Sequence, residues 1–85
     1  MYGAGRTETY LMNDNYINID RDELIAHALK LLNNKNLKGT YLAQELKMNQ
    51  RQVYNYRNGS KDIEKAQLET LIKFENLYQR IKSRL

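Results

Sequence analysis

Apolar residues recur at steps of three and four positions along most of this chain, and that spacing limits what it can fold into. Such a spacing places the apolar side chains on one face of an α-helix. Asp20, with Glu23 three residues later, resembles a capping-box start for the first such helix. The apolar members that follow are Leu24, Ile25, Ala28, Leu29, Leu31 and Leu32, and they carry the pattern to about Asn34. With no proline anywhere in its 85 residues, the chain is predicted to be all-α, a small bundle of four to five helices.

Residues 1–19 follow a different pattern. The segments "TYLM" and "YINI" are apolar and contain tyrosine and isoleucine, and "NDN" between them consists of residues that tolerate left-handed turns. The preceding "MYGAGR" has two glycines and little to bury. We therefore expect residues 1–19 to form an N-terminal arm or a short β-hairpin, and residues 20–85 to form one helical domain.

Local signals place three further helical segments. A second short helix fits residues 40–47, whose apolar side chains share a face. Asn49 is a suitable N-cap for a third helix, which is expected to run from residue 50 to residue 57 or 58. It should end at Gly59, because glycine readily adopts the left-handed conformation that closes a helix. The last stretch is predicted to be one long helix, or two helices with a bend near Gln67.

Positive charge is concentrated in the middle of the chain. Residues 30–61 contain seven lysines and arginines against one glutamate, whereas residues 1–29 contain two bases and five acids. The remaining residues, 62–85, are nearly balanced, with five bases and four acids. A local excess of positive charge attracts a polyanion. The alternative is a solvated, lysine-rich surface that has no partner.

The third predicted helix has a polar face without acids. Its sequence, "NQRQVYNYRNG" (residues 49–59), contains two arginines, three asparagines and two glutamines. At about 100° per residue, the side chains that point away from Val53 are those of Arg51, Tyr54, Asn55 and Asn58, with Gln50 on the first turn. Arginine can donate two hydrogen bonds to guanine, and asparagine or glutamine can pair with adenine. Such a face can read DNA bases; the alternative is an amide-rich helix with no binding role.

Two short helices joined by a tight turn at residues 47–49, between longer helices, form a helix-turn-helix. The segments "LAQEL", "KMN", "QRQVYNYRNG" and "LETLIKF", within residues 37–77, resemble the Cro/C1-type (XRE-like) helix-turn-helix family of phage and plasmid repressors. In that family, the residues at the places of Ala43, Met48 and Val53 are small or apolar and hold the two helices together. The resemblance implies base contacts by Gln50, Arg51, Tyr54 and Asn55, and positions near phosphates for Asn49 and Asn58.

Three positions depart from the family pattern. Gly39 stands where the family often has a glutamine against a phosphate, although its backbone N–H can still bind one. Arg57 stands where many members have a glutamate, so a buried ion pair common in the family is absent or reversed here. Lys47 replaces the usual glycine of the turn. Together with Lys38 and Lys61, we expect these three residues to lie near DNA phosphates.

Several other functions are not expected from the composition. The chain has no cysteine and one histidine, His27, which has no second histidine or carboxylate pair beside it in the sequence. No nucleophile adjoins a base and no glycine-rich phosphate loop is present, so we expect neither enzymatic activity nor a metal or cofactor. The sequence contains no secretion signal and no apolar run of about 18 residues, which leads us to expect a cytoplasmic protein that does not enter the membrane.

These features predict a sequence-specific protein that binds double-stranded DNA, a transcriptional repressor or regulator of a phage or mobile element, with residues 50–58 in the major groove. We also expect a homodimer on two half-sites. The candidate dimer surfaces are the hairpin (Tyr10, Leu11, Tyr16 and Ile17) and the C-terminal helix (Leu77, Tyr78, Ile81 and Leu85), although ordinary core packing is favoured for the helix. The alternative is a small phage or plasmid interaction protein with a protein partner, or an accessory factor in conjugation or replication, built on the same scaffold.

Overall fold

A computed structural model describes residues 7–12 and 15–85 of the chain. These residues form two strands and four α-helices: β1 Thr7–Met12, β2 Asn15–Asp20, α1 Arg21–Leu32, α2 Gly39–Leu46, α3 Gln50–Asn58 and α4 Leu68–Ile81. Short 3₁₀ turns at Ile63–Lys65 and Lys82–Arg84 precede and follow α4. The prediction of a small, mainly helical bundle is therefore confirmed.

The two strands pair as an antiparallel hairpin, in which Tyr10 is opposite Ile17 and Leu11 is opposite Tyr16. They lie where the sequence predicts strands around "TYLM" and "YINI". The centre of the predicted turn, residues 13–14, lies outside the described residues. Because β2 ends at the residue before α1, the hairpin leads directly into the helical domain.

Capping fixes the start of α1. The Oδ1 atom of Asp20 accepts a hydrogen bond from the backbone N–H of Glu23 at 3.3 Å, as the sequence predicts. Acidic residues occupy the first turn of α1, and Lys30 lies in its last turn. These charges complement the helix dipole at both ends. The helix ends at Leu32, slightly earlier than the predicted Asn34.

The hydrophobic core lies between the four helices and the 3₁₀ turn before α4. Its buried residues are Ile25, Ala28, Leu31, Leu32, Leu42, Ala43, Leu46, Val53, Ile63, Ala66, Leu71, Phe74, Leu77 and Ile81. Phe74 is fully buried, and the ring of Tyr56 meets it edge-on with 6.1 Å between the ring centroids. Full burial of one large apolar side chain contributes roughly 1.5–3 kcal/mol. Because Val53 and Tyr56 both belong to α3, this helix is held to the core by side chains on one face.

The last helical stretch is interrupted near Gln67, where the second predicted alternative has its bend, but a short 3₁₀ turn replaces the first of the two predicted helices. Ala66 and Gln67 are extended, with ψ near 150°, between the 3₁₀ turn and α4. The Nη2 atom of Arg21, on α1, donates to the backbone carbonyls of Glu64 at 3.1 Å and Ala66 at 2.5 Å. These bonds satisfy carbonyls that a continuous helix would have paired internally, and so they hold the break in place.

Within residues 7–12 and 15–85, no helix combines the length and the apolar character needed to cross a membrane. In the same residues, no group of three histidine, aspartate or glutamate side chains is arranged to hold a metal ion.

Candidate nucleic-acid interface

The turn between α2 and α3 contains a lysine in a conformation that favours glycine. Lys47 has φ 56° and ψ 45°, and it is the only non-glycine residue with positive φ in the described part of the chain. Its N–H donates to the carbonyl of Gln44 at 3.3 Å, and the N–H of Met48 donates to the carbonyl of Ala43 at 3.0 Å. This is the Schellman arrangement, in which the left-handed position is usually glycine. Lys47 therefore adopts the left-handed conformation of this arrangement, although it is not a glycine.

Both ends of α3 are closed as the sequence predicts. The side chain of Asn49 accepts a hydrogen bond from the backbone N–H of Gln52 at 2.8 Å. At the other end, Gly59 has φ 85° and terminates the helix. The side chain of Asn58 accepts a bond from the N–H of Ser60 at 2.8 Å and shapes the loop that follows. The predicted phosphate positions Asn49 and Asn58 therefore also shape the two ends of α3.

The predicted base-contacting residues lie on the accessible side of α3. Val53 is fully buried, whereas Tyr54, the next residue, has 65% of its surface exposed. Gln50 and Arg51 are exposed on the first turn, and Asn55 is half-buried. The structure thus brings the four residues together on one helix, with no carboxylate among them.

The predicted phosphate contacts Lys38, Lys47 and Lys61 are all exposed. Lys38 is the N-cap of α2 and makes no side-chain hydrogen bond to the first turn of that helix. Lys61 follows α3, and its Nζ atom lies 5.7 Å from the centroid of the Tyr56 ring. Partial burial raises the pKa of Tyr56, so the ring stays neutral at physiological pH. The lysines therefore lie at both ends of α3 and at the start of α2, on segments next to the predicted base readers.

Arg57, a predicted phosphate contact, is hydrogen-bonded to the protein backbone. Its Nε donates to the carbonyl of Leu32 at 2.8 Å, and its Nη2 donates to the carbonyls of Asn34 at 3.2 Å and Leu37 at 2.5 Å. All three of these hydrogen bonds are made to the protein backbone, and the phosphate contact stays a prediction. The physical reason for these bonds is its position four residues after Val53, which places it about 40° from that buried side chain on the helix.

An open cavity of about 520 Å³ lies between the start of α2 and the exposed side of α3. Its lining residues are Gly39, Thr40, Gln50, Arg51, Val53, Tyr54 and Arg57, and none of them is acidic. Gly39 has no side chain to fill this space, and a Cβ atom built on it would lie 4.0 Å from the Nη1 atom of Arg57. The cavity therefore joins the N-terminus of α2, two arginines and the polar face of α3.

The polar and ring contacts between α1 and α4 were not predicted from the sequence. His27 Nδ1 lies 2.7 Å from Glu75 Oε1, and its ring stacks on Tyr78 with 3.9 Å between centroids. Glu75 also accepts a hydrogen bond from Gln79 at 2.6 Å. No local signal could have paired His27 with Glu75, since they are 48 residues apart. These contacts pack two helices together and lie in the bundle rather than on the exposed side of α3.

The two candidate dimer surfaces have different outcomes. Leu77 and Ile81 are buried in the core and Tyr78 stacks on His27, whereas Leu85 has 47% of its surface exposed. Most of the apolar side chains of the C-terminal helix are thus used within one molecule, in line with the favoured core packing. The side chains of the hairpin surface (Tyr10, Leu11, Tyr16 and Ile17) lie outside the described residues.

Comparison with protein-family models, with curated proteins and with solved structures gives no match to this chain. The function proposed below is therefore inferred from the residues of this surface and their geometry.

Proposed function

We propose that this chain is a sequence-specific double-stranded DNA-binding protein that inserts α3 into the major groove. The observation that carries the proposal is the exposed face of α3, which presents an arginine, amides and a tyrosine while Val53 anchors the opposite face in the core. An α-helix fits the major groove of B-DNA, where each base pair displays a distinct pattern of donors and acceptors. A helix that is capped at both ends and anchored on one side presents its polar face in a fixed orientation.

Arg51 and Asn55 are the central base readers in this proposal. They are four residues apart, which is about 6 Å along a helix at roughly 1.5 Å per residue. Successive base pairs are about 3.4 Å apart, so the two side chains reach different base pairs. Arginine suits guanine and asparagine suits adenine, because each can form two hydrogen bonds with the corresponding base edge. Gln50 and Tyr54 extend the contact toward neighbouring bases.

Basic and N–H donor groups near both ends of α3 support binding to the DNA backbone. Lys47 precedes α3, Lys61 follows it, and Lys38 lies at the start of α2. The N-terminus of a helix attracts anions through its free N–H groups, and the absence of a side chain on Gly39 leaves the start of α2 open. Phosphate contacts of this kind orient a protein on the duplex without reading its sequence.

The biological role that fits such a module is regulation of transcription, by repression where the bound site overlaps a promoter. The resemblance to phage and plasmid repressors extends the proposal to a phage or mobile element as the source, and to a homodimer on two half-sites about one helical turn apart. The second candidate function, binding of a protein partner, uses the same exposed face.

The proposal is tested by alanine substitution on the exposed face of α3. A binding site is first selected from a pool of random duplexes, and affinities for that site and for competitor DNA are then measured. Arg51→Ala and Asn55→Ala should each weaken binding to the selected site about ten- to a hundredfold, because a bidentate contact is worth roughly 1–3 kcal/mol. Competitor DNA should lose much less affinity, chiefly through the charge of Arg51.

Matched controls come from the exposed surface of α4. Lys73→Ala removes one positive charge and Asn76→Ala removes one amide, both at exposed positions, and neither should alter discrimination between sites. If the Arg51, Asn55 double variant still selects its site as the wild type does, α3 is not the reader. If the wild type shows no steep salt dependence with duplex DNA, the proposal fails and the protein-partner function is favoured, because counterion release makes groove binding strongly salt-dependent.

A further inference from the structure

Arg57 connects three segments of the molecule through one side chain. It belongs to α3, and its guanidinium donates to the carbonyl of Leu32, the last residue of α1, at 2.8 Å. The same group donates to the carbonyls of Asn34 and Leu37, in the loop that leads into α2. The side chain is half-buried. One residue thus fixes α3 against the end of α1 and against the loop that carries Lys38.

The carbonyl of Leu32 needs a partner because it lies at the end of α1, whereas that of Asn34 also accepts a hydrogen bond from the N–H of Leu37 at 3.1 Å. The last carbonyls of a helix have no partner inside that helix, and a positive charge near them is favoured by the helix dipole. The planar guanidinium carries several N–H donors in a fixed geometry, so it can hold several carbonyls at once. A lysine can supply the charge but not this arrangement of donors. The contact therefore determines the position of α3 as well as contributing to the stability of the fold.

We propose that Arg57 is a positioning residue for DNA reading: it sets where α3 lies relative to the start of α2, and thereby aligns Arg51 and Asn55 with the bases. The inference rests on the proposed function and assigns Arg57 a role other than phosphate binding. Nε and Nη2 are occupied by backbone carbonyls, so the group cannot move out to follow a phosphate without breaking three hydrogen bonds. Its position on α3, one turn beyond the buried Val53, is consistent with this role.

The first test needs no variant and no DNA. Side-chain N–H exchange with solvent is followed by NMR for the Nε–H groups of Arg57 and Arg51, which share α3. Arg51 is the matched control, because it is exposed and has no hydrogen-bond partner among the described residues. The Nε–H of Arg57 should exchange at least about tenfold more slowly than that of Arg51, as expected for a proton held in a partly buried hydrogen bond. Equal exchange rates would overturn the proposal.

The second test uses Arg57→Met and Arg57→Lys with selected and competitor duplexes. Both variants should reduce the ratio of the two affinities by about tenfold, since misaligned base contacts lose discrimination. The salt slope, which is the slope of log affinity against log salt concentration, should keep its wild-type magnitude. A purely structural loss would lower the folded fraction and reduce both affinities by the same factor. Lys61→Ala is the contrasting control, with a salt slope lower by about one and the ratio retained.

The outcomes separate this inference from the proposed function. If Arg57→Met lowers the salt slope by about one and keeps the ratio, Arg57 is a phosphate contact and the inference is wrong. Full restoration of the ratio by Arg57→Lys would likewise overturn it, because charge alone would then suffice. If the wild type itself binds no duplex, the proposed function fails, and the DNA-reading role of Arg57 fails with it. The exchange comparison still decides whether the bridge from α3 to α1 exists.

Discussion

Replacement of Lys47 by glycine should raise stability and weaken DNA binding at the same time. Lys47 occupies the left-handed position of the turn between α2 and α3, with φ 56°. Its backbone N–H and that of Met48 close the end of α2 through bonds to Gln44 and Ala43. Glycine can adopt this conformation without steric cost, so the closing bonds should remain in Lys47→Gly.

The size of the stability change follows from two opposing terms. A residue with a Cβ atom loses about 1–2 kcal/mol in the left-handed helical region. Glycine avoids that cost, but its greater conformational freedom in the unfolded chain lowers the free energy of unfolding by about 0.4–1 kcal/mol. The expected net gain for Lys47→Gly is therefore about 0.5–1 kcal/mol, since the lysine side chain is exposed and buries little. In a domain of this size, a gain of about 1 kcal/mol raises Tm by roughly 4–8 °C.

Urea denaturation followed by circular dichroism measures the gain, and Lys47→Ala is the matched control. Alanine also removes the ammonium group but keeps a Cβ atom, so its stability should stay close to that of the wild type. Both variants should lower the magnitude of the salt slope for duplex DNA by about one, as expected for one lost phosphate contact. Stability and salt slope then change together only in the glycine variant.

Two results would refute this reasoning. If Lys47→Gly is no more stable than Lys47→Ala, the left-handed turn carries no strain that glycine could relieve. If neither variant changes the salt slope, Lys47 is not near a phosphate, and the predicted interface must be reduced to the residues of α2 and α3 themselves.

Two further predictions concern α3. Asn49→Ala removes the side-chain cap that binds the N–H of Gln52 and should lower the free energy of unfolding by about 0.5–2 kcal/mol. The control Asn76→Ala, at an exposed position in α4, should change that free energy little. Equal losses for the two variants in urea denaturation would contradict the capping role of Asn49. Because burial raises the pKa of Tyr56 above its ordinary value of 10.0, its contribution to stability should be complete below that pH and lost as pH rises through the higher folded-state pKa. Tyr56→Phe should therefore reduce the fall of the unfolding free energy above about pH 10. The same pH dependence in the variant and the wild type would contradict this prediction.

The parts of the fold that could be predicted from the sequence depend on contacts between near neighbours. Asp20 caps α1 through a residue three positions later, and Asn49 caps α3 in the same way. Gly59 ends α3 through its own backbone conformation. In each case the interacting groups lie within one helical turn, so residue type and spacing were sufficient to predict the structure.

The parts that could not be predicted depend on residues far apart in the chain. The break before α4 is held by Arg21, whose partner Ala66 is 45 residues away. The stack of His27 on Tyr78 and its bond to Glu75 likewise join α1 to α4. Apolar spacing indicates which faces turn inward, but it does not tell which polar side chains meet when those faces pack. His27, which has no carboxylate pair beside it in the sequence, thus has a specific partner in Glu75.

Arg57 shows how a position on a helix can decide between two roles for the same residue type. Residues 51 and 57 are both arginines on α3, and the sequence predicts a base contact for Arg51 and a phosphate contact for Arg57. Arg51 lies about 160° from Val53 around the helix and Arg57 only about 40°, so one guanidinium faces solvent while the other reaches the backbone of α1. Because of this difference in angle, equal losses of charge should have unequal effects. If the proposed function is correct, loss of Arg51 should remove a contact with a base, and loss of Arg57 should move the helix that makes such contacts.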